Sequence, residues 1–491
     1  MNCGPIEDGD DYCLFHKPDK SEDEARKFYI KLKDQAIKEI DEGGIKKFVF
    51  SKLDWGGYIF PKTDRTTFMD AIFEGDADFF GATFEGDADF FGATFDGKTN
   101  FGKVTFKERA IFWSAIFKDL ASFVEVNFEG EAGLMGTVFK KSTDFINSSF
   151  EGKADFAGST FKERGNFWLA TFKDVTTFEG STFGGEVDFG RSSFKGKTDF
   201  GKVKFEGEAE FVETIFEGEA DFERSFFEGD ADFGKATFVG DAGFKGAIFS
   251  SATNFSKGTC HNEISFEGAL LERRCSFENR KFGGKLLFIN TEFRQGVVME
   301  KDWENPEPEK YKLPQAEQEG CRVQKLSFEK EGKKEAAEAI FVREMRARRK
   351  DIESQYEREE GYTVCHKKTL WDKRKPLLRR FRWDFLVLYI TTKAEYIFVD
   401  LLSEYGTNWK RVVGSSIVLI FVFAFLYFFG DIRGVKSVWD LVYYSIAAFT
   451  SLGYGDLNPV GWARTLSGIQ SLIGAFFIAL FVVVFARRWM R

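Results

Sequence analysis

Ala77-Asp78-Phe79-Phe80-Gly81-Ala82-Thr83-Phe84-Glu85-Gly86 is followed, eleven positions on, by Ala88-Asp89-Phe90-Phe91-Gly92-Ala93-Thr94-Phe95-Asp96-Gly97. The pair sits inside a periodicity that runs from Phe68 to Phe293. One series steps by eleven from Phe68 through Phe79, Phe90 and Phe101 to Phe288, with Leu134 taking one turn. A second lies five residues behind it, from Phe73 and Phe84 through Cys260 and Leu271 to Phe293. Most of the chain's 62 Phe belong to these two series. A helix would need apolar positions three and four apart to form one stripe. Steps of five scatter them at about 100° per residue, and the recurrent Gly and Thr are poor helix formers.

A strand reading succeeds. A small residue sits two before each Phe with a polar one between, so strand alternation points small and large residues inward together. Gly81, Gly86, Gly92 and Gly97 fall at the corners, where glycine tolerates conformations other residues resist. The pattern predicts a short-sided β-solenoid of roughly ten coils. Lys47 to Phe60, KFVFSKLDWGGYIF, is the expected N-terminal cap.

The units ADFFG and ATFEG resemble the pentapeptide-repeat family, and the resemblance implies a right-handed β-helix of square cross-section. Every second unit here has a sixth residue, which is expected to bulge at a corner or to alter the cross-section. The rod reads either as an interaction surface or as a spacer or oligomerisation scaffold.

At 491 residues the chain is too long for one core. A net charge of -9 argues against a general nucleic-acid binder, so no nucleic-acid partner is predicted. The six cysteines (3, 13, 260, 275, 321 and 365) are scattered, as expected of reduced thiols. Cys3, Cys13 and His16 make a candidate zinc cluster, one ligand short of the usual four. The acidic start, MNCGPIEDGDDYC, lacks the layout of a secretory signal, so a cytoplasmic N-terminus is expected. The three histidines (16, 261 and 366) are dispersed and no nucleophile–base constellation occurs, so neither an enzyme nor an organic cofactor is predicted.

The organisation expected is an N-terminal segment at 1–46, the solenoid at 47–300, a Pro- and Glu-rich linker at 301–320 and a helical connector at 321–372. The connector reads as a helical pair around Gly332. A juxtamembrane segment follows at 373–410 and a membrane domain at 411–491. The juxtamembrane apolar stretches are interrupted by Lys393, Glu395 and Asp400 and fall short of the ~20 residues that span a bilayer. This segment therefore lies on the membrane or packs above it. Its basic front, Lys373 to Arg382, meets anionic headgroups or forms a solvated face.

Two uncharged runs, Val412–Gly430 and Leu466–Ala486, are long enough to span. Lys410 and Arg411 before the first, and Arg487, Arg488 and Arg491 after the second, place both ends in the cytoplasm. Between them lie Val438-Trp439-Asp440-Leu441-Val442-Tyr443-Tyr444-Ser445-Ile446-Ala447-Ala448-Phe449 and Thr450-Ser451-Leu452-Gly453-Tyr454-Gly455-Asp456. The order of span, short helix, GYGD and span is similar to the pore domain of the potassium-channel family.

That resemblance implies a homotetramer around a central pore. Backbone carbonyls of Ser451, Leu452, Gly453 and Tyr454 would replace the water shell of K+, the only ions called for, with the Ser451 hydroxyl completing the innermost ring. Gly453 and Gly455 would allow the required backbone turns, Thr450 and Asp456 would support the filter, and Tyr454 would pack against Tyr443 and Tyr444. Ser451 stands where Thr is usual and Leu452 where Val is usual. Ala447 replaces a carboxylate that in some relatives binds the filter Asp. Gly474 reads as a gating hinge or as a site of close helix packing. No spaced Arg series lies in either span, so voltage gating is not predicted.

Three functions follow. The first is a potassium-selective channel regulated by an unidentified cytoplasmic ligand or protein at the solenoid. The second is a weakly selective cation channel of the same architecture. The third is a membrane-tethered scaffold with a non-conducting pore.

Overall fold

The computed structural model describes residues 49–50, 53–57, 59–60, 66–299, 310–367, 391–453, 455 and 457–489. The candidate zinc ligands Cys3, Cys13 and His16, the basic front 373–382, and Tyr454 and Asp456 lie outside the described residues. The chain divides into two compact units, Met1–Lys333 and Lys334–Arg491.

The first unit is a β-solenoid of two-residue strands running from Val49–Phe50 to Val297–Val298. Each strand pairs in parallel with the strand one coil on, so that Phe73 meets Phe95 and Phe95 meets Phe117. One coil is therefore two eleven-residue repeats. The strands form four parallel sheets of 12, 12, 11 and 11 members, one per side. Phe rings stack down each side, as Phe178 does on Phe200 at 4.9 Å with planes parallel. Neighbouring columns meet edge to face, as Phe189 and Phe200 do at 5.4 Å and 80°. Both arrangements suit the quadrupole of the ring.

The sixth residue of every second unit leaves the cross-section four-sided. The left-handed residues lie instead at the corners of the five-residue steps, two positions after Phe101, Phe112 and Phe123, with φ +57° at Lys103, +57° at Ser114 and +58° at Glu125. The outward carboxylates help to build these corners. Asp188 Oδ1 accepts the Gly190 N–H at 2.7 Å, and Asp199 Oδ1 accepts that of Gly201 at 2.7 Å. An Asx side chain that closes a turn in this way gives the corner a local hydrogen bond. At the other corners the stacked backbones come close. A β-carbon at Gly240 would overlap the Gly218 carbonyl oxygen, which is why glycines stack there.

The segment expected to cap the N-terminal end forms the first described coil of the stack. Val49–Phe50 pairs with Ile72–Phe73 and Leu53–Asp54 with Ala77–Asp78. Trp55 ends a Phe column, its ring centroid 5.0 Å from that of Phe79. The opposite end is capped by α1 (Pro314–Lys330). Its side chains meet backbone groups that the last strands leave open. Gln315 bonds both the N–H and the carbonyl of Leu286, while Gln324 and Ser327 accept the N–H groups of Met299 and Val297. An edge satisfied in this way no longer templates another strand. Helix α1 starts inside the stretch read as linker, since Pro314 at its first position lacks only a donor that no helix could use there.

One coil breaks the pattern. Arg280 occupies a position elsewhere given to small residues or Val and is fully buried among Phe rings. It donates to the Phe233 carbonyl at 2.7 Å, to the Phe255 carbonyl and to Cys260 Sγ at 3.3 Å. Cys260 stands where the column calls for Phe, and the missing ring makes room for the guanidinium.

The second unit contains α2 (Lys334–Lys367), a π-helical segment at Glu395–Leu401, α3 (Trp409–Tyr427), α4 (Val438–Thr450) and α5 (Trp462–Trp489). Gly332, at φ +71°, lies between α1 and α2. Helices α3 and α5 contain 19- and 25-residue apolar stretches, long enough to cross a membrane.

Candidate functional site

Helix α4 has 13 residues, too few to cross a bilayer, and lies packed between α3 and α5. Its start is fixed by a capping box. Asp440 accepts the N–H groups of Lys436 at 2.7 Å and Ser437 at 2.8 Å, and the Ser437 hydroxyl accepts that of Trp439 at 3.3 Å. Those two backbone donors hold the Asp440 carboxyl below the usual carboxylate range. A two-stranded antiparallel ladder, Ile432–Arg433 with Asn458–Pro459, ties the chain before α4 to the chain after the GYGD segment. The loop therefore enters and leaves on one side.

The other end of α4 is where the GYGD segment begins. Ser451 caps the helix in the left-handed conformation, φ +55°, and Gly453 and Gly455 follow at φ +95° and +60°. Leu452 is 82% exposed. The Thr450 hydroxyl turns back to the Ile446 carbonyl at 2.8 Å. A β-carbon at Gly474 would overlap the Phe449 carbonyl oxygen and lie 2.7 Å from its carbon. Close packing thus gives a sufficient reason for that glycine.

The two tyrosines expected beside the filter are separated by the structure. Tyr443 is exposed, whereas Tyr444 is 0% exposed with its ring edge-on to Tyr427 at 4.9 Å. Tyr444 is therefore covered by residues of its own chain. Beside this pair lies a buried polar group that apolar patterning concealed. The Tyr427 hydroxyl donates to Gln470 Oε1 at 2.7 Å, Gln470 Nε2 donates to the Ser445 carbonyl at 3.0 Å, and Ser445 Oγ donates to the Ile420 carbonyl at 2.7 Å.

Residues 407–491, which contain this whole arrangement, match the family described as ion channel. The chain carries an ion-channel domain. Four stretches of the solenoid, 79–126, 123–171, 167–215 and 211–259, match the family described as pentapeptide repeats. No curated protein and no solved structure matches the chain.

Just before the ion-channel domain lies a second cluster. Asp400 is buried and receives Arg346 Nη2 at 2.8 Å and Arg349 Nη1 at 2.9 Å, both from α2. Burial alone would push its carboxyl up, but the hydrogen bonds from the two guanidinium groups win and hold it below the ordinary range. Arg349 also donates to the Tyr405 hydroxyl at 3.0 Å, and burial pushes that phenol up to about 12. Glu404 pairs with Arg411 at 3.1 Å and receives the Asn408 amide at 2.9 Å. Asn408 in turn caps α3. Glu404 and Tyr405 sit in succession at φ +51° and +54°, an uncommon conformation for such side chains. The sequence shows Asp400 only as an interruption in an apolar run. A carboxylate so placed needs a partner, and that was the available signal.

Among the described residues no group of three or more His, Cys, Asp or Glu side chains is arranged to hold a metal ion.

Proposed function

We propose that this chain is one subunit of a potassium-selective channel in which four copies surround a pore lined by the backbone of Ser451, Leu452, Gly453 and Tyr454. The observation that carries the reading is the end of α4. A helix too short to span stops inside the membrane domain, and the chain leaves its end through exposed, non-helical residues at positive φ, Ser451 and Gly453. Non-helical backbone at that depth is tolerated only where protein surrounds it and water reaches it. The axis of an oligomer meets both conditions.

Two further features support the assembly. Trp439, Tyr443 and Ile446 are 75%, 56% and 42% exposed and share one side of α4, where neighbouring subunits would cover them. The C-terminal carbonyls of α4 favour a cation beyond the helix end. Basic residues flanking the spans support an orientation with both ends in the cytoplasm, and a cytoplasmic signal would act through the solenoid.

The test is the reversal potential of the purified protein in bilayers with potassium on one side and sodium on the other. A reversal near the potassium equilibrium value is expected. A value near zero would replace the reading with a weakly selective cation pore.

A further inference from the structure

The second span carries an amide in its apolar stretch, and both its oxygen and its nitrogen are hydrogen-bonded. Gln470 is 0% exposed. Its Oε1 accepts the Tyr427 hydroxyl at 2.7 Å, and its Nε2 donates both to the Ser445 carbonyl at 3.0 Å and to Ser445 Oγ at 2.7 Å. Ser445 Oγ in turn donates a hydrogen bond to the Ile420 carbonyl at 2.7 Å. The directions are fixed, because a backbone carbonyl only accepts and a flipped amide would turn its oxygen toward it. One side chain of α5 thus reaches α3 directly at Tyr427, α4 at Ser445, and α3 again through Ser445.

Apolar contacts alone would hold α4 loosely along its axis, since side chains and lipid tails are equally apolar and a sliding helix exchanges one for the other. Directional bonds do not slide, and water is not at hand to replace them. Ser451 follows Ser445 by about 1.7 turns of α4. A shift of the helix at Ser445 therefore reaches the backbone at Ser451.

The geometry points to Gln470 as a positioning residue for the filter: its amide fixes the depth and rotation of α4, so discrimination between cations depends on a side chain that touches no ion. The inference rests on the pore reading given above.

The full-length protein in bilayers tests it, with Gln470→Leu, Tyr427→Phe, Ser445→Ala and the Gln470→Leu, Ser445→Ala pair. Gln470→Leu is expected to lower the potassium-over-sodium permeability ratio about fivefold, and Tyr427→Phe by less. The pair is expected to be no worse than Gln470→Leu alone, because groups acting as a unit are not additive. A purely structural role would reduce the number of channels without moving the ratio. A wild-type ratio in a conducting Gln470→Leu channel overturns the inference, as do additive losses. If Gln470→Leu yields no channel, Tyr427→Phe, which removes one oxygen, decides by the same criterion. If the wild type itself does not discriminate, the pore reading fails and the lock is judged by amide hydrogen exchange over residues 438–450. Exchange about tenfold faster in Tyr427→Phe supports it, and unchanged exchange overturns it.

Discussion

Gly474 on the second span meets the Phe449 backbone so closely that a β-carbon would lie 2.7 Å from its carbonyl carbon and 2.9 Å from its α-carbon. The obstruction is backbone, which cannot rotate aside as a side chain can. Gly474→Ala is therefore expected to displace α4 or to destabilise the membrane unit, by about 1–3 kcal/mol or more. Thermal unfolding of the purified protein in detergent measures the loss. A residue needed only as a hinge would tolerate alanine in the resting fold, so an unchanged melting temperature would leave hinging as its role.

The joint before the first span should respond to pH. Asp400 is held below the ordinary carboxylate range by Arg346 and Arg349. A carboxyl whose folded value is depressed contributes stability above its unfolded value, about 3.9, and that contribution is lost as pH falls through the folded value. Hydrogen exchange over the α2 residues 334–354 is expected to be slow at neutral pH and to accelerate below about pH 4. Asp400→Ala should abolish this dependence and destabilise the joint by about 3–5 kcal/mol, since it leaves Arg349 buried without its carboxylate.

Such partners explain which features were legible in advance. The Phe register, the two spans and the GYGD order are local, periodic signals, and each can be read within a short window. Asp400 and Arg349 lie 51 residues apart, and no local pattern pairs them. The corner residues were hidden for another reason. Positions at positive φ advertise themselves only where they are glycine, and here Lys103, Glu125 and Arg191 serve as well because the stacked coils on either side impose the turn. Gln470 was invisible because one amide hardly changes the hydropathy of a long apolar run. In the same way, Cys260 reads as a lapse in a Phe column until Arg280 is seen filling the space beside it.

That exchange makes its own prediction. Arg280 is a buried cation answered by carbonyls and a thiol, without a carboxylate. Burial pushes the Cys260 thiol up, with the guanidinium pulling weakly the other way. Cys260 is therefore expected to resist alkylation at pH 8 until the coil opens. Arg280→Ala should leave a cavity and unanswered carbonyls, destabilising the local coils by about 2–5 kcal/mol. Arg280→Met, which fills the space without charge, is expected to be far milder, because replacing a buried charge by packed apolar volume is often neutral. Thiol labelling of the full chain against denaturant reports both. Repeats contact only their neighbours, so the effect should fade within a few coils.

Gly453 offers the sharpest test of the filter assignment. At φ +95° it lies where a side chain is strained whatever space surrounds it, and among the described residues no atom beyond its chain neighbours comes within 4 Å of the position a β-carbon would take. The harm of a substitution would therefore come from backbone strain and from what the new group does on the axis, and not from crowding within the subunit. If the proposed tetrameric filter holds, Gly453→Asp is expected to abolish potassium flux, since it strains the backbone and would bring a carboxylate from each subunit to carbonyl rings that must stay in register. The solenoid has its own stacked core and should keep its wild-type circular dichroism and melting curve. Flux into liposomes measures the first expectation. Normal flux with a folded solenoid would mean that ions pass elsewhere, and the filter would have to be sought outside residues 451–455.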